Sequence, residues 1–264
     1  MDLGLSGKKV LVTGSTKGIG FATAKLFAAE GADVFINGRT EESVNLAVDK
    51  ILKETVNSSI KGIVADLSNA KGCQALLEEL PKVDVLINNL GIFEPVPFAE
   101  IKDEDWFRFF EINVMSGIRL SRHYIEPMRQ NNWGRIIFIA SESAVQIPEE
   151  MVHYGMTKTA QVAVARGLAE STKGTGVTVN SILPGPTRSE GVEDFVQQIA
   201  DQNGVTFDQM EKDFFASARP SSLLQRFATV DEVANMVVYT SSSLASATNG
   251  AALRVDGGVV KAIL

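Results

Sequence analysis

A tyrosine and a lysine stand four residues apart in the stretch HYGMTK, at Tyr154 and Lys158. Residues i and i+4 share one face of a helix, and the following TAQVAVARGLAEST has apolar residues at helical spacing. A phenol held beside an ammonium on such a face could move protons. The same spacing also fits an exposed helix pair without chemistry, so the decision between the two depends on the other motifs.

A serine lies thirteen positions before the tyrosine, at Ser141 in FIASES. This stretch ends an apolar run that reads as a strand. A loop of that length can return a helix across the strand ends, which would bring the serine hydroxyl close to the hydroxyl of Tyr154.

Three glycines follow the first apolar run, KKVLVTG, at Gly14, Gly18 and Gly20 in TGSTKGIG. Glycines between a strand and a helix allow a tight turn and a close approach of the backbone to a dinucleotide pyrophosphate. The spacing differs from the usual Gly-x-Gly-x-x-Gly fingerprint, and glycines in a loop are also ordinary turn residues. Their place after the first strand favours a cofactor site.

The end of the second predicted strand, INGRT, has no acidic residue that would bind the ribose hydroxyls of NAD. Arg39 and Lys17 offer instead two cations that could hold a 2′-phosphate, which favours NADP(H). The alternative is that Arg39 pairs with Glu41 or Glu42 on the surface. Asp66 either accepts from the adenine amino group or caps the next helix.

Seven short apolar runs alternate with helical patterns along the chain. They lie at 8–14, 32–38, 61–67, 83–89, 134–141, 177–185 and 251–258. Several are apolar at consecutive positions, as expected for strands that helices cover on both faces. We therefore predict one α/β domain over residues 1–264, a Rossmann-type doubly wound fold with a seven-stranded parallel sheet and helices on both faces. Ligands of such sheets bind beyond the carboxyl ends of the strands.

The composition excludes several function classes. Of the 264 residues, 45% are hydrophobic and 22% charged, and the net charge of −7 argues against nucleic acid as a partner. The apolar runs are too short to cross a membrane and the start of the chain lacks the apolar core of a signal peptide, so we expect a cytoplasmic protein. The single cysteine, Cys73, and the two histidines lead us to expect no metal site.

Taken together and in order, these motifs resemble the short-chain dehydrogenase/reductase family, in its branch with subunits of about this length. The resemblance covers residues 6 to 258, through TGSTKGIG, NNLG, FEINVMSG, Ser141, YGMTK, PGPT and VDGG. It implies that Tyr154 is the general acid and base, that Lys158 lowers the pKa of this tyrosine and binds the nicotinamide ribose, and that Ser141 orients the substrate oxygen. Asn113 would hold a water next to Lys158, and Ser143 would line the pocket.

The resemblance also implies a set of residues that bind the cofactor. They are Gly14, Ser15, Thr16, Lys17, Gly18, Ile19, Gly20, Arg39, Asp66, Leu67, Asn89, Gly91, Tyr154, Lys158, Pro184, Gly185 and Thr187. Leu90 departs from the family pattern, which has alanine there. Its larger side chain would shift the loop or point into the core.

Residues 188–225 form a longer connection, which in the family is a mobile lid over the substrate. Apolar residues that could line a pocket beneath it are Val192, Phe195, Phe214 and Phe215, with Ile92, Phe93, Val145 and Met151 opposite. Such a pocket would suit a hydrophobic carbonyl compound. The alternative is that these aromatics are core contacts. His153 is expected to lie outside the catalytic contacts.

The function that these observations favour is an NADP(H)-dependent oxidoreductase of a small-molecule carbonyl or secondary alcohol. By family resemblance alone we expect a homotetramer or homodimer. One alternative is a 3-oxoacyl-thioester reductase, which would need a basic patch that Arg129 and Arg135 do not amount to. Another is a regulator that binds dinucleotide without turnover.

Overall fold

All seven apolar runs form strands in the computed structural model, which describes residues 2–56 and 59–263 apart from the side chain of Phe195. Two further short strands lie in the second half of the chain. The strands are β1 Lys9–Val12, β2 Asp33–Gly38, β3 Ile60–Val64, β4 Val85–Asn88, β5 Gly134–Ile139, β6 Val177–Pro184, β7 Thr187–Arg188, β8 Ala228–Thr229 and β9 Ala252–Val255.

Helices connect the strands, as predicted for a doubly wound fold. They are α1 Gly18–Ala29, α2 Glu41–Glu54, α3 Ala70–Glu79, α4 Asp103–Phe110, α5 Ser116–Gln130, α6 Val152–Glu170, α7 Glu190–Asn203, α8 Phe207–Ser217 and α9 Val230–Thr240. Their starts follow the local sequence: Thr40 caps α2, Asn69 caps α3, and Thr229 with Glu232 forms a capping box on α9.

The main sheet is parallel and has the strand order β3-β2-β1-β4-β5-β6-β9. The order reverses between β1 and β4, because the chain crosses from one half of the sheet to the other after β3. Such a reversal leaves a crevice at the carboxyl ends of the strands, where ligands of these folds bind. The predicted fold class is confirmed.

Consecutive apolar residues in the strands serve two different cores. Val10 and Val12 of β1 pack with α1 and α9 on one face of the sheet, while Leu11 packs with α3 and α5 on the other. Successive side chains of a strand point to opposite faces, so a strand that is covered on both sides needs apolar residues throughout.

The segment between β6 and α9 has a small core of its own. Strands β7 and β8 pair with each other, and α7 and α8 project between them. Val196, Phe215 and Phe227 are buried together in this unit. The predicted lid of residues 188–225 lies wholly within it, and its motion stays a prediction. We call residues 187–229 the lid unit.

Two negative findings apply to the described residues. Among residues 2–56 and 59–263, no helix is both long and apolar enough to cross a membrane. In the same ranges, no group of three or more histidine, cysteine or acidic side chains is placed to hold a metal ion.

Candidate active site

Tyr154 and Lys158 lie one turn apart on α6 and line a cavity at the carboxyl end of β5. The Lys158 ammonium lies 5.6 Å from the centre of the Tyr154 ring and donates a hydrogen bond of 2.9 Å to the carbonyl oxygen of Ile139. Lys158 is only 4% exposed. Its contact with the last residue of β5 therefore fixes the ammonium against the sheet.

Ser141 follows β5 and precedes a 3-10 turn, Glu142–Ala144, at the wall of the same cavity. The backbone N–H of Ser143 donates to Ser141 Oγ at 3.1 Å, and Ser141 Oγ donates to Glu142 Oε2 at 2.5 Å. Ser143 lines the cavity, as predicted. Glu142 is not among the residues that the sequence predicts for the site, although it directly follows Ser141.

The pKa values of Tyr154 and Lys158 shift in opposite directions. Burial raises the pKa of the Tyr154 phenol, and the Glu142 carboxylate adds to this, while the Ser141 hydroxyl and Arg219 oppose it. Burial also lowers the pKa of Lys158 to about 7. The expected lowering of the Tyr154 pKa is therefore not met in this structure, because burial of the phenol outweighs the groups that oppose it.

Asn113 lies in a π-helical turn, Glu111–Met115, between α4 and α5. Its amide nitrogen donates to the carbonyl oxygen of Ile92 and to Thr157 Oγ1, both at 3.0 Å, and its Oδ1 accepts from Ile92 N at 2.8 Å. A π-turn adds a residue to a helix and is frequent at functional sites. Asn113 thus fastens the loop after β4 to α6, and its role in holding a water stays a prediction.

His153 lies away from the cavity, as the sequence predicts. Its ring packs 4.0 Å from the centre of the Phe109 ring and 6.0 Å from that of Trp106. The residue is fully buried, and burial lowers the pKa of its imidazole. A neutral histidine among aromatic rings is a core residue here.

The glycine loop between β1 and α1 has the backbone that a close ligand approach requires. Gly14 and Gly18 have φ angles of 57° and 59°, in the left-handed region that favours glycine. A Cβ on Gly20 would lie 2.6 Å from the carbonyl oxygen of Gly14, so α1 can pack against this loop only with glycine there. Ile19 lines the cavity.

The side chains of Ser15 and Thr16 face the protein. Ser15 Oγ donates to the carbonyl oxygen of Val12 at 2.7 Å and accepts from Asn37 N at 3.0 Å. A Cβ on Gly38 would lie 2.5 Å from Thr16 Cγ2, so the glycine leaves room for this threonine. Ser15 is fully buried, and its backbone N–H donates to the carbonyl oxygen of Asn37 at 2.9 Å. The predicted contact of Ser15 with a cofactor is therefore not met by its side chain or by its N–H.

The two cations predicted for a 2′-phosphate are both exposed, Lys17 in the glycine loop and Arg39 directly after β2. Within residues 2–56 and 59–263, neither Lys17 nor Arg39 forms an ion pair. The alternative pairing of Arg39 with Glu41 or Glu42 is therefore absent from the described contacts. Both cations are available to an anionic ligand.

Asp66 and Leu67 follow β3. Asp66 Oδ1 accepts from Ser68 N at 3.1 Å, while Asn69, and not Asp66, caps α3. The capping alternative for Asp66 is therefore wrong. Leu67 is 1% exposed and belongs to the core, so only its backbone could contact a cofactor.

Asn89 and Gly91 follow β4 and line the cavity. Asn89 Nδ2 donates to the carbonyl oxygens of Thr13 and Gly14 at 3.0 and 2.9 Å, which holds the glycine loop. A Cβ on Gly91 would lie 3.4 Å from Lys158 Nζ. Leu90 packs against the core, as one of the two predicted alternatives states.

Pro184, Gly185 and Thr187 form the wall after β6. Thr187 Oγ1 donates to the carbonyl oxygen of Gly185 at 2.9 Å. A Cβ on Gly185 would lie 2.7 Å from the Cα of Asp256, so the VDGG segment can approach only because residue 185 is glycine.

The cavity between these loops and the lid unit has a volume of about 380 Å³. Of the residues predicted to line it, Val192, Phe214, Ile92, Phe93 and Met151 do so. The prediction is wrong for two others. Phe215 is 1% exposed in the core of the lid unit, and Val145 is 51% exposed, outside the cavity wall. The side chain of Phe195 lies outside the described part of the chain.

Three hydrogen bonds between described residues join the lid unit to the rest of the groove. Arg219 Nε donates to Glu142 Oε1 and its Nη1 to Glu150 Oε1, both at 3.3 Å. At the other end, Gly18 N donates to Glu190 Oε2 at 2.8 Å. None of these four charged side chains is predicted from the sequence, because their partners are distant in the chain.

The groove fits a nicotinamide dinucleotide. Ile19 at the start of α1 lines the cavity, and Gly91 leaves the space beside Lys158 open. Lys17 in the glycine loop and Arg39 after β2 are exposed and without described ion pairs. These features run in order along one crevice, from β2 to β5.

Comparison with known proteins agrees with this geometry. The family model described as short chain dehydrogenase matches residues 8–200. The chain is 47% identical to the uncharacterized oxidoreductase YvaG of Bacillus subtilis over 100% of both chains. It is 29% identical to a 3-oxoacyl-[acyl-carrier-protein] reductase of Rickettsia felis, over 97% of this chain and 98% of that one. Among solved structures, L-sorbose reductase from Gluconobacter frateurii, complexed with NADPH and L-sorbose, has a TM-score of 0.94 and 30% identity over 100% of both chains.

Proposed function

Because the chain belongs to the short-chain dehydrogenase family of oxidoreductases, we propose that it transfers a hydride between NADP(H) and a carbonyl compound or secondary alcohol. The observation that carries this proposal is a single cavity. Ser141, Tyr154 and Lys158 line it together with Ile19 of the glycine loop and Gly91 after β4. Groups suited to proton transfer and groups suited to a dinucleotide thus meet at one place.

When bound, the nicotinamide supplies or accepts the hydride. Tyr154 supplies the proton in this proposal. The phenol of a tyrosine, with an ordinary pKa of about 10, keeps its proton at neutral pH and can give it to a substrate oxygen as that oxygen gains negative charge. Lys158, with a pKa of about 7, stabilises the phenolate to the extent that it is charged. Ser141 orients the substrate oxygen.

The preference for NADP(H) over NAD(H) is part of the proposal. It is supported by Lys17 and Arg39, whose charges are not engaged by other described side chains, and by the missing carboxylate at Gly38. The NADPH of the L-sorbose reductase complex is a property of that protein, and it supports the same assignment here.

A 3-oxoacyl thioester on an acidic carrier protein is a weaker candidate. Arg135 is 1% exposed and donates to the carbonyl oxygens of Gly176 and Ser242, at the amino end of β5 and away from the cavity. Arg129 pairs with Glu126 at 3.1 Å on the surface. Neither arginine offers a basic patch at the cavity mouth.

We include a homo-oligomer in the proposal. Phe107 and Phe110 of α4 are 75% and 38% exposed and form apolar surface that a second subunit could cover. Sedimentation velocity of the purified protein would measure the state, and a monomer at micromolar concentration would contradict it.

The function is tested by oxidation of NADPH and NADH in the presence of a panel of ketones, aldehydes and diones, followed by absorbance. We expect turnover with NADPH and much less with NADH. Tight NADPH binding without turnover of any carbonyl compound would favour a dinucleotide-binding regulator instead.

A further inference from the structure

A buried carboxylate lies next to the place where the substrate oxygen is expected. Glu142 is 5% exposed and lines the cavity. Its Oε2 accepts the Ser141 hydroxyl at 2.5 Å, and its Oε1 accepts from Arg219 Nε at 3.3 Å. Buried carboxylates are rare unless a partner or a ligand uses them. This position is therefore informative about the substrate.

The carboxylate creates two difficulties for a plain ketone. It occupies the hydrogen of Ser141, the donor that should orient the carbonyl oxygen. It also places negative charge beside an oxygen that gains negative charge during reduction, which disfavours that transition state. Both difficulties are removed if the substrate brings a hydrogen-bond donor of its own to Glu142.

We infer that the substrate carries a hydroxyl group on the carbon next to its carbonyl, as in hydroxy ketones and ketoses. This inference rests on the proposed function. The two oxygens of such a unit are close neighbours, so a site that binds the carbonyl oxygen at Ser141 places the hydroxyl at Glu142. The hydroxyl then donates to Glu142, and Ser141 is free to donate to the carbonyl oxygen.

The reaction balances as a reduction of the carbonyl group. The hydride adds to the carbonyl carbon, the Tyr154 proton adds to its oxygen, and the product is a vicinal diol while NADPH is oxidised to NADP⁺. The neighbouring hydroxyl is unchanged, so Glu142 acts by binding it and not by proton transfer.

Charge near the carboxylate selects against anionic substrates. Glu142 and Glu150 contribute two negative charges to the cavity wall, and Arg219 between them contributes one positive charge. An acid or an acyl phosphate would meet net negative charge here. Arg219 Nη2 makes no hydrogen bond to any residue of the described ranges, so it can donate to a further hydroxyl of a neutral polyol.

The test compares hydroxyacetone with butanone and methoxyacetone as substrates of the purified wild type. Butanone has the same size but no hydroxyl, and methoxyacetone has a similar inductive effect but no hydrogen to donate. We expect kcat/KM for hydroxyacetone to exceed both by about tenfold or more, the scale of a hydrogen bond to a charged group. Equal values for the three ketones would overturn the inference.

Glu142→Gln should shrink this preference to less than half its wild-type value, mostly through KM, because the uncharged amide accepts more weakly. Glu149→Gln, which removes the same charge from an exposed neighbouring position, should keep it. For the wild type, kcat/KM for acetoacetate should be at least tenfold lower than kcat/KM for methyl acetoacetate. Glu142→Gln should reduce this difference in kcat/KM. An unchanged preference in a folded Glu142→Gln protein, judged by its circular dichroism and melting curve, would contradict the role of Glu142.

Butane-2,3-dione tests the proposed function separately from the inference about the substrate hydroxyl, since it is a reactive carbonyl compound without a hydroxyl. Reduction of the dione, with no preference for hydroxyacetone, would overturn this inference and leave the proposed function in place. No oxidation of NADPH or NADH with the dione or any of the ketones would overturn the proposed function and the inference with it.

Discussion

The two halves of the groove are built in different ways. At the catalytic half, Asn113 and Lys158 are almost fully buried and bonded to the backbone of neighbouring strands and loops. At the other half, Lys17 and Arg39 are exposed and without described ion pairs, and Glu190 of the lid unit accepts a hydrogen bond from Gly18 N of the glycine loop.

This difference indicates which half of the groove has its final geometry before a ligand binds. Side chains that are buried and hydrogen-bonded keep their geometry without a ligand. Substitutions there should therefore lower kcat and leave the affinity for NADPH unchanged. Exposed long side chains lose conformational freedom only when a ligand orders them. Substitutions there should therefore change the affinity for NADPH and leave kcat unchanged. Variants in each half test this contrast.

The largest effect is expected in the catalytic half. Ser141→Ala should reduce kcat about 100-fold, because it removes the donor that orients the substrate oxygen, with no change in NADPH affinity. Steady-state kinetics and a fluorescence titration measure the two quantities. Ser143→Ala keeps the backbone donor to residue 141 and should cost much less. If Ser141→Ala lowered the affinity for NADPH by the same factor as kcat, the proposed contrast between the two halves of the groove would be wrong.

The next effect is expected at the rim. Arg39→Ala should weaken NADPH binding by 1.5 to 3 kcal/mol, roughly 10- to 150-fold, as for a charge-assisted hydrogen bond, and leave NADH binding unchanged. Fluorescence titration with both cofactors measures this, and Arg129→Ala on the distant surface is the matched control. If the wild type binds NADPH and NADH equally, the assignment of these cations is wrong.

Two neighbouring phenylalanines of the lid unit should differ in kind. Phe214→Ala opens the cavity wall and should raise KM roughly tenfold, since a buried aromatic contributes about 1.5 to 3 kcal/mol. Phe215→Ala empties the core of the lid unit and should lower its stability by about 3 to 5 kcal/mol. Substrate kinetics and hydrogen exchange over residues 187–229 separate the two. Identical effects would mean that the lid unit does not distinguish core from cavity.

The smallest effect is expected at Glu190. Its carboxylate accepts from the amide of Gly18, where the cofactor phosphates are proposed to bind, and would repel them. Glu190→Gln should therefore tighten NADPH binding by about 0.3 to 1 kcal/mol, a few-fold in Kd. Asp194→Asn, on an exposed position of the same helix, controls for the change in net charge. Weaker binding would show that Glu190 supports the bound form of the loop.

The sequence predicts the fold, and the place of Tyr154 and Lys158 at one cavity, because both depend on local patterns. The consecutive apolar residues of β1 indicate a strand that is buried on both faces. The spacing of Tyr154 and Lys158 indicates that both lie on one face of a helix, which is α6. The glycines at positions 14 and 18 report a backbone that other residues rarely adopt. Each signal lies within a few residues of its effect.

Other features depend on contacts that are distant in the chain. Arg219 pairs with Glu142, which lies 77 positions earlier in the chain, and the residues around neither one predict this pair. Phe214 and Phe215 are adjacent and chemically equal, and only the packing of α8 decides that Phe214 lies between the cavity and the core of the lid unit while Phe215 lies within that core. The polar end of the cavity, and with it the expected substrate class, therefore emerges only from the structure.

The most direct test of the central claim is a single-turnover measurement of NADPH oxidation by the wild type and by Tyr154→Phe. NADPH affinity is measured on the same samples by fluorescence. If Tyr154 gives the proton at a preformed site, the variant should bind NADPH as the wild type does and transfer hydride roughly a hundredfold more slowly or worse. A variant that keeps the wild-type rate would contradict the account, because another group would then move the proton.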